Sequence, residues 1–132
     1  MKYPKLEVST KLALYSHDLK SVLIMRYPIR GLNGLPGGHV EFKEAPDDAL
    51  KRELIEELSL VVDNMKRTDF FLREGDRGSI ILAYTAIAPA DVDIKPTHAK
   101  FEYGDWVSKD ELQDIVMSSE YKRFVLENWP KS

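Results

Sequence analysis

Residues 38–60 read GHVEFKEAPDDALKRELIEELSL, and the rest of the 132-residue chain is best interpreted from this stretch. Pro46 suits the first turn of a helix, where its missing N–H is not needed. Leu50, Leu54 and Leu58 then recur at the spacing of one buried helical face. We therefore predict a helix that begins at Pro46 and ends near Leu58.

Three carboxylates border the predicted buried face. On a helical wheel Glu57 falls about 40° from Glu53, and Glu56 falls about 60° to its other side, so the three share one patch. Like charges at these spacings weaken a helix by a few tenths of a kcal/mol per pair, and a bound cation would offset that cost. Carboxylate oxygens suit a hard divalent ion, Mg²⁺ or Mn²⁺. The alternative interpretation is an ordinary solvated charged face.

The same stretch resembles the Nudix box, Gly-x5-Glu-x7-Arg-Glu-U-x-Glu-Glu-x-Gly-U, in which U is a bulky aliphatic residue. Every position from Gly38 to Leu60 matches except the last glycine, which is Ser59. A glycine there supplies a left-handed conformation at the end of the helix. Serine in that conformation costs about 1–2 kcal/mol, so the departure concerns the helix end more than the chemistry.

The resemblance implies an α/β fold, a Nudix-type α/β/α sandwich with a mixed, mostly antiparallel sheet, formed by a single domain over residues 1–132. It also implies a hydrolase that uses Mg²⁺ or Mn²⁺ and water to cleave the pyrophosphate linkage of a nucleoside diphosphate derivative. By position, Glu53, Glu56 and Glu57 are the expected metal ligands, and Glu53 or Glu56 is also a candidate base. In the family the backbone carbonyl of Gly37 or Gly38 often joins them.

Glu44 is the residue that the resemblance pairs with Arg52, which would hold the preceding loop against the helix. Such a pair is physically reasonable, because an arginine fork can bind a carboxylate through two hydrogen bonds. Arg52 can alternatively reach Glu56 at i+4. The sequence leaves both partners open.

Candidate substrate-binding residues lie in the loop before the box, which its Gly, Pro and Asn content marks. Arg26 and Arg30 suit phosphate, and Tyr27 suits the face of a base. Gly37 and Gly38 let the backbone approach a ligand closely, and His39 is a candidate phosphate contact. Plain surface or structural roles are the alternatives for these side chains.

Alternation and turn signals place the other elements. The predicted strands are Leu6–Tyr15, Ser21–Arg26, His39–Phe42, Thr68–Arg73, Ser79–Ile87 and Lys100–Val107, and a further extended segment is expected to begin at residues 60–62. A capping box at Ser108 and Glu111 predicts a helix to about Val116. Ser118 or Ser119 is expected to cap a terminal helix with Tyr121, Phe124, Val125 and Leu126 on its apolar face.

One more acidic residue is a candidate for the site. In Nudix domains a carboxylate shortly before a Trp-Val strand end often supplies a metal ligand or the general base. Glu102, four residues before Trp106, is the best match, and Asp105 is the runner-up. The alternative for Glu102 is a surface carboxylate.

Composition limits the partners. The net charge of −3 argues against broad binding to duplex nucleic acid, and no apolar run is long enough to cross a bilayer. The chain has no cysteine and no apolar run behind residues 1–5, so we expect a cytoplasmic protein; a homodimer is left open. The expected partner is a small nucleotide substrate. The rival function is a catalytically silent Nudix-fold module that binds a nucleotide or a 5′-phosphorylated RNA end. It predicts a damaged acidic patch, whereas all three carboxylates are present.

Overall fold

Six strands and three helices form the part of the chain that the computed structural model describes, residues 5–27, 31–73, 78–94 and 102–131. The strands are β1 (Glu7–Tyr15), β2 (Ser21–Arg26), β3 (Gly37–His39), β4 (Lys66–Leu72), β5 (Ser79–Ile87) and β6 (Tyr103–Ser108). The helices are α1 (Pro46–Leu58), α2 (Lys109–Leu112) and α3 (Ser119–Glu127). None of the helices within these ranges is long and apolar enough to cross a membrane.

The strands form one sheet in the order β4-β5-β1-β2-β6, and β3 pairs with β1 beside this path. β1 and β5 are parallel, and the other strand pairs are antiparallel. This confirms the predicted mixed, mostly antiparallel sheet. β1 is the central strand, because it contacts β5 along its whole length and also contacts β3 and β2.

Helices cover both faces of the sheet. Successive side chains of a strand point to opposite faces. Leu12 and Leu14 of β1 accordingly pack in one apolar cluster with the leucines of α1. Ala13 and Tyr15 pack in a second cluster with residues of α2 and α3. The result is the expected α/β/α arrangement.

Helix α1 has the predicted bounds and the predicted buried face. Leu50, Leu54 and Leu58 are fully buried. Ala45 forms no side-chain cap, but Asp47 and Asp48 lie in the first turn, where carboxylates stabilise the positive end of the helix. The hydroxyl of Tyr84 on β5 donates a hydrogen bond to Asp47, which fixes the start of the helix on the sheet.

The helix ends at a residue in the left-handed conformation, as the resemblance implied. Ser59 has φ 52° and ψ 38°. Its N–H donates to the Ile55 carbonyl at 3.0 Å, and the Leu60 N–H donates to the Leu54 carbonyl at 3.3 Å. This pairing of the last carbonyls is typical of a left-handed helix terminus.

Ser59→Gly should therefore raise the free energy of unfolding by about 0.5–1 kcal/mol, the relief of strain less the extra entropy of the unfolded chain. Ser59→Ala is the matched control, because it keeps the β-carbon and hence the strain. Urea denaturation of the metal-free proteins measures both changes. A Ser59→Gly variant no more stable than Ser59→Ala would show that the conformation is unstrained.

Several predicted boundaries were wrong. The strand expected at residues 39–42 lies at Gly37–His39, because pairing with β1 ends there and Phe42 and Lys43 form a turn. The helix after Ser108 ends at Leu112, and residues 60–62 form no strand. Leu126 is 42% exposed, so the buried face of α3 consists of Tyr121, Phe124 and Val125. Both predicted caps, at Ser108 and at Ser118, are confirmed.

Candidate active site

Two glycines bring the start of β3 close to other parts of the chain. Gly37 has φ 138°, and a β-carbon there would lie 2.0 Å from the carbonyl oxygen of Thr10 on β1. A β-carbon on Gly38 would lie 2.4 Å from the carboxyl carbon of Glu53 and 2.5 Å from its Oε1. The first glycine thus permits strand pairing, and the second leaves the space that the Glu53 carboxylate occupies.

Glu57 points from α1 to the same segment. It is only 8% exposed, and its Oε1 accepts a hydrogen bond from the Gly37 N–H at 3.0 Å. Burial raises the pKa of the Glu57 carboxyl to about 7, and the Glu53 and Glu102 carboxylates add to the rise. The Gly37 N–H and the Lys11 ammonium oppose it. Glu57 is therefore a buried acidic group in a negative environment, which a bound cation would stabilise.

Arg52 ties the loop before α1 to the helix. Its Nε and Nη2 donate to the two carboxylate oxygens of Glu44 at 2.8 and 3.1 Å, and its Nη2 also donates to the His39 carbonyl at 3.1 Å. Its Nη1 donates to Glu53 at 3.1 Å and to Glu56 at 3.3 Å. The two partners that the sequence left open, Glu44 and Glu56, are both contacted, and the forked contact is with Glu44. The Arg52 hydrogen bond, followed by the Glu41 N–H, lowers the pKa of Glu44.

Arg52→Ala and Glu44→Gln should each lower kcat/KM for the expected hydrolysis of a pyrophosphate linkage by about 10- to 100-fold. This is the usual effect of removing groups that orient a site. Since each removes the same fork, the double variant should lose much less than the product of the two factors. Arg52→Lys is the control that keeps the charge without the fork. A full double-mutant cycle measures the coupling, and independent effects would contradict the role of the pair.

The donor atoms around β3 and α1 are of the type that suits a hard divalent ion, although they are not grouped around one point. Glu53, Glu56 and Glu57 and the carbonyl of Gly38 present only oxygens, the ligand type that Mg²⁺ and Mn²⁺ prefer. The Gly38 carbonyl accepts a hydrogen bond from the Thr10 hydroxyl at 3.2 Å, which uses one of its lone pairs. Within the described ranges, no three Asp, Glu or His side chains are grouped so that they could hold a metal ion. Arg52 draws Glu53 and Glu56 toward itself, and Glu57 turns to Gly37.

A cleft of about 730 Å³ opens beside these groups. It is lined by several of the residues that the sequence singled out, Tyr27, Gly37, Gly38, His39, Glu57 and Glu102. His39 also lies 3.4 Å from Glu7, and its side chain is 68% exposed. Arg26 does not line the cleft; its guanidinium lies 3.6 Å from Asp105. Arg30 lies outside the described residues.

Other residues that line the cleft were missed by the sequence interpretation. Lys11 reaches it from β1, Arg73 from the position directly after β4, and Tyr121 from α3. Asn33 joins two segments beside the cleft, because its side chain accepts a hydrogen bond from the Tyr27 N–H and donates one to the Val116 carbonyl. Lys11 could have been singled out as a site residue, because it is a charged residue within a predicted strand and lies between Thr10 and Leu12, both of which are buried. The other contacts join segments far apart in sequence and leave no local pattern.

Comparison with known proteins identifies the class. The family model for the NUDIX domain matches residues 6–127, so the chain belongs to the Nudix family. No curated protein matches.

Solved structures share the fold at low identity. The Nudix domain of Shewanella oneidensis NrtR, solved with ADP-ribose, is 20% identical with a TM-score of 0.78, covering 95% of this chain and 87% of that one. A MutT from Aliivibrio salmonicida or Vibrio cholerae is 19% identical with a TM-score of 0.76, covering 93% and 96%. The Escherichia coli dihydroneopterin triphosphate pyrophosphohydrolase is 16% identical with a TM-score of 0.71, covering 95% and 97%.

Proposed function

We propose that this Nudix protein is a Mg²⁺- or Mn²⁺-dependent pyrophosphohydrolase that cleaves the pyrophosphate linkage of a nucleotide or nucleotide-linked substrate. The observation that supports it most directly is the contact of two helix carboxylates with two consecutive glycines. Glu53 fills the space over Gly38, and Glu57 accepts from the Gly37 N–H at the edge of the cleft. An ordinary solvated charged face would leave both carboxylates in water.

The proposed ligands are Glu53, Glu56 and Glu57 with the carbonyl of Gly38, all of them oxygen donors. A divalent ion, when bound, supplies neutralisation of the pyrophosphate charge and a lower pKa for the attacking water. Removing the ion with EDTA should therefore abolish hydrolysis. The roles that remain for the protein are to orient the substrate and to accept a proton.

In the proposed reaction a water oxygen attacks one phosphorus, and the bond from that phosphorus to the bridging oxygen breaks. The bonding electrons leave with the departing phosphate, and a carboxylate takes the proton of the water. We assign the proton transfer to Glu102, which lines the cleft near Glu57, in preference to Glu53 and Glu56, which Arg52 engages. The products are a nucleoside phosphate and the other phosphorylated half.

The cleft also suits a nucleotide. Its volume of about 730 Å³ lies in the range of small-molecule sites. Tyr27 and Tyr121 flank Gly34, where a β-carbon would lie 3.7 and 4.0 Å from their rings. Aromatic side chains of this kind offer a stacking surface for a base. The ADP-ribose bound to the Shewanella domain supports a nucleotide-linked substrate for the same fold.

A substrate panel tests the proposal. It covers NTPs, oxidised dNTPs, dinucleoside polyphosphates, nucleotide sugars and ADP-ribose, each with Mg²⁺, with Mn²⁺ and with EDTA, and the products are separated. We expect turnover of one class, two phosphorylated products and no turnover in EDTA. Undiminished hydrolysis in EDTA would contradict the proposal, as would saturable nucleotide binding without turnover, which fits the catalytically silent module.

A further inference from the structure

Lys11 is a charged residue in the centre of the sheet. It lies on β1 between Thr10 and Leu12, both fully buried, and its backbone is in register with Gly37 on one side and Ala83 on the other. Its side chain is half-buried and lines the cleft. Lysine is rarely placed in such a position without a partner, because removing an ammonium from water is costly.

The described part of the chain gives this ammonium no hydrogen bond and no ion pair within 4.0 Å. The charges that act on it are carboxylates of the proposed site, first Glu57 and then Glu53 and Glu102, together with the guanidinium of Arg73. The donors of Lys11 therefore remain available to a ligand in the cleft. An ammonium has three such donors and acts as a compact point charge.

A counter-ion for Glu57 is the competing explanation for Lys11. In that role the ammonium would contact the carboxylate directly. Glu57 instead accepts its hydrogen bond from the Gly37 N–H at 3.0 Å, and Lys11 stays beyond ion-pair distance. The gap between the two groups opens on the cleft that both of them line.

We propose that Lys11 binds the substrate, donating a hydrogen bond to a non-bridging phosphate oxygen. This inference rests on the proposed function. The phosphates would lie between the ammonium on β1 and the carboxylates on α1, and the Lys11 ammonium would neutralise part of their negative charge. Lysine is a common point-charge ligand of phosphate.

Binding of methylenediphosphonate in Mg²⁺ tests this role, because the probe has a P–C–P bridge that resists hydrolysis and carries no base. Lys11→Met, which removes the charge and keeps the length, should weaken its binding about 10- to 100-fold, the factor that a charged hydrogen bond contributes. Lys11→Arg should retain most of the affinity. Lys20→Met, in the exposed turn after β1, is the control and should bind like wild type.

Melting in EDTA shows whether each variant folds, and Lys11→Gln is the second neutral variant should Lys11→Met fail to fold. Equal affinity of wild type and the neutral variants for the probe would overturn the inference, as would a wild-type protein that does not bind it. If Lys11 is instead a counter-ion for Glu57, wild type and the neutral variants should bind the probe with equal affinity, but the Mn²⁺ concentration at half-saturation should change. If the wild type binds the probe but hydrolyses nothing in the panel, the proposed function fails while the role of Lys11 in binding is still measured.

Discussion

Replacing Gly38 by alanine should lower hydrolysis by about 10- to 100-fold while changing the free energy of unfolding by less than about 1 kcal/mol. The new β-carbon would lie 2.4 Å from the Glu53 carboxyl carbon, so that carboxylate must move. The movement is easy for the fold, because the end of a glutamate side chain is flexible and Gly38 is not in the left-handed region. We expect it to harm the proposed metal site, because the displaced carboxylate would no longer lie where the proposed ion binds.

Gly37→Ala is the matched contrast. Its β-carbon would lie 2.0 Å from the Thr10 carbonyl oxygen, which belongs to the backbone of the central strand and cannot turn away. The backbone at φ 138° is also strained for any residue with a side chain. We expect a loss of more than about 2 kcal/mol in the free energy of unfolding. Urea denaturation in EDTA and initial rates separate the two variants. A Gly38→Ala variant with wild-type kcat/KM would contradict the proposed role of Glu53 as a metal ligand.

Local patterns predicted much of this structure. The leucines of α1 recur every four residues, and each turn of a helix brings them to one face whatever surrounds it. The Arg52 and Glu44 pair belongs to one short segment of loop and helix, so the motif contained both partners. Caps at Ser108 and Ser118 are equally local.

Contacts between distant segments could not be predicted in this way. β3 is set by pairing with β1, in which Lys11 opposes Gly37, and no pattern within residues 37–42 specifies that register. The alternation of apolar residues in β1 revealed the face that packs against α1. It did not reveal that the other face lines the cleft at one end and packs in the core at the other. There Ser9 and Lys11 line the cleft, whereas Ala13 and Tyr15 pack in the core. Where the cleft gives way to the core depends on α3, which lies more than a hundred residues further along the chain.

The largest effect on catalysis is expected for Glu57→Gln, which should reduce turnover by at least about 100-fold, the upper end of the effect of groups that merely orient a metal ligand. The amide keeps an oxygen that can accept from the Gly37 N–H, so the local structure should persist. What it loses is the negative charge in the cleft. A glutamate on a solvated face would show little change.

The metal-free protein should respond to pH through the same residue. The folded pKa of Glu57, about 7, is above its ordinary value, so the native state binds the extra proton. That contribution to stability is present below the unfolded pKa and is lost as the pH rises through about 7. In EDTA, wild type should lose stability relative to Glu57→Gln between pH 5 and pH 8. A constant difference over this range would contradict the burial of an ionisable group at this position.

Whether Glu57 binds a metal ion is tested most directly by the melting temperatures of wild type and Glu57→Gln at pH 8, each in EDTA and in Mn²⁺, with turnover measured on the same samples. A ligand that binds only the native state raises the melting temperature by mass action. We predict a clear Mn²⁺-dependent rise for wild type, a much smaller rise for Glu57→Gln, and loss of hydrolysis in the variant. A variant that keeps the full Mn²⁺-dependent rise and the full rate would show that Glu57 is not a metal ligand.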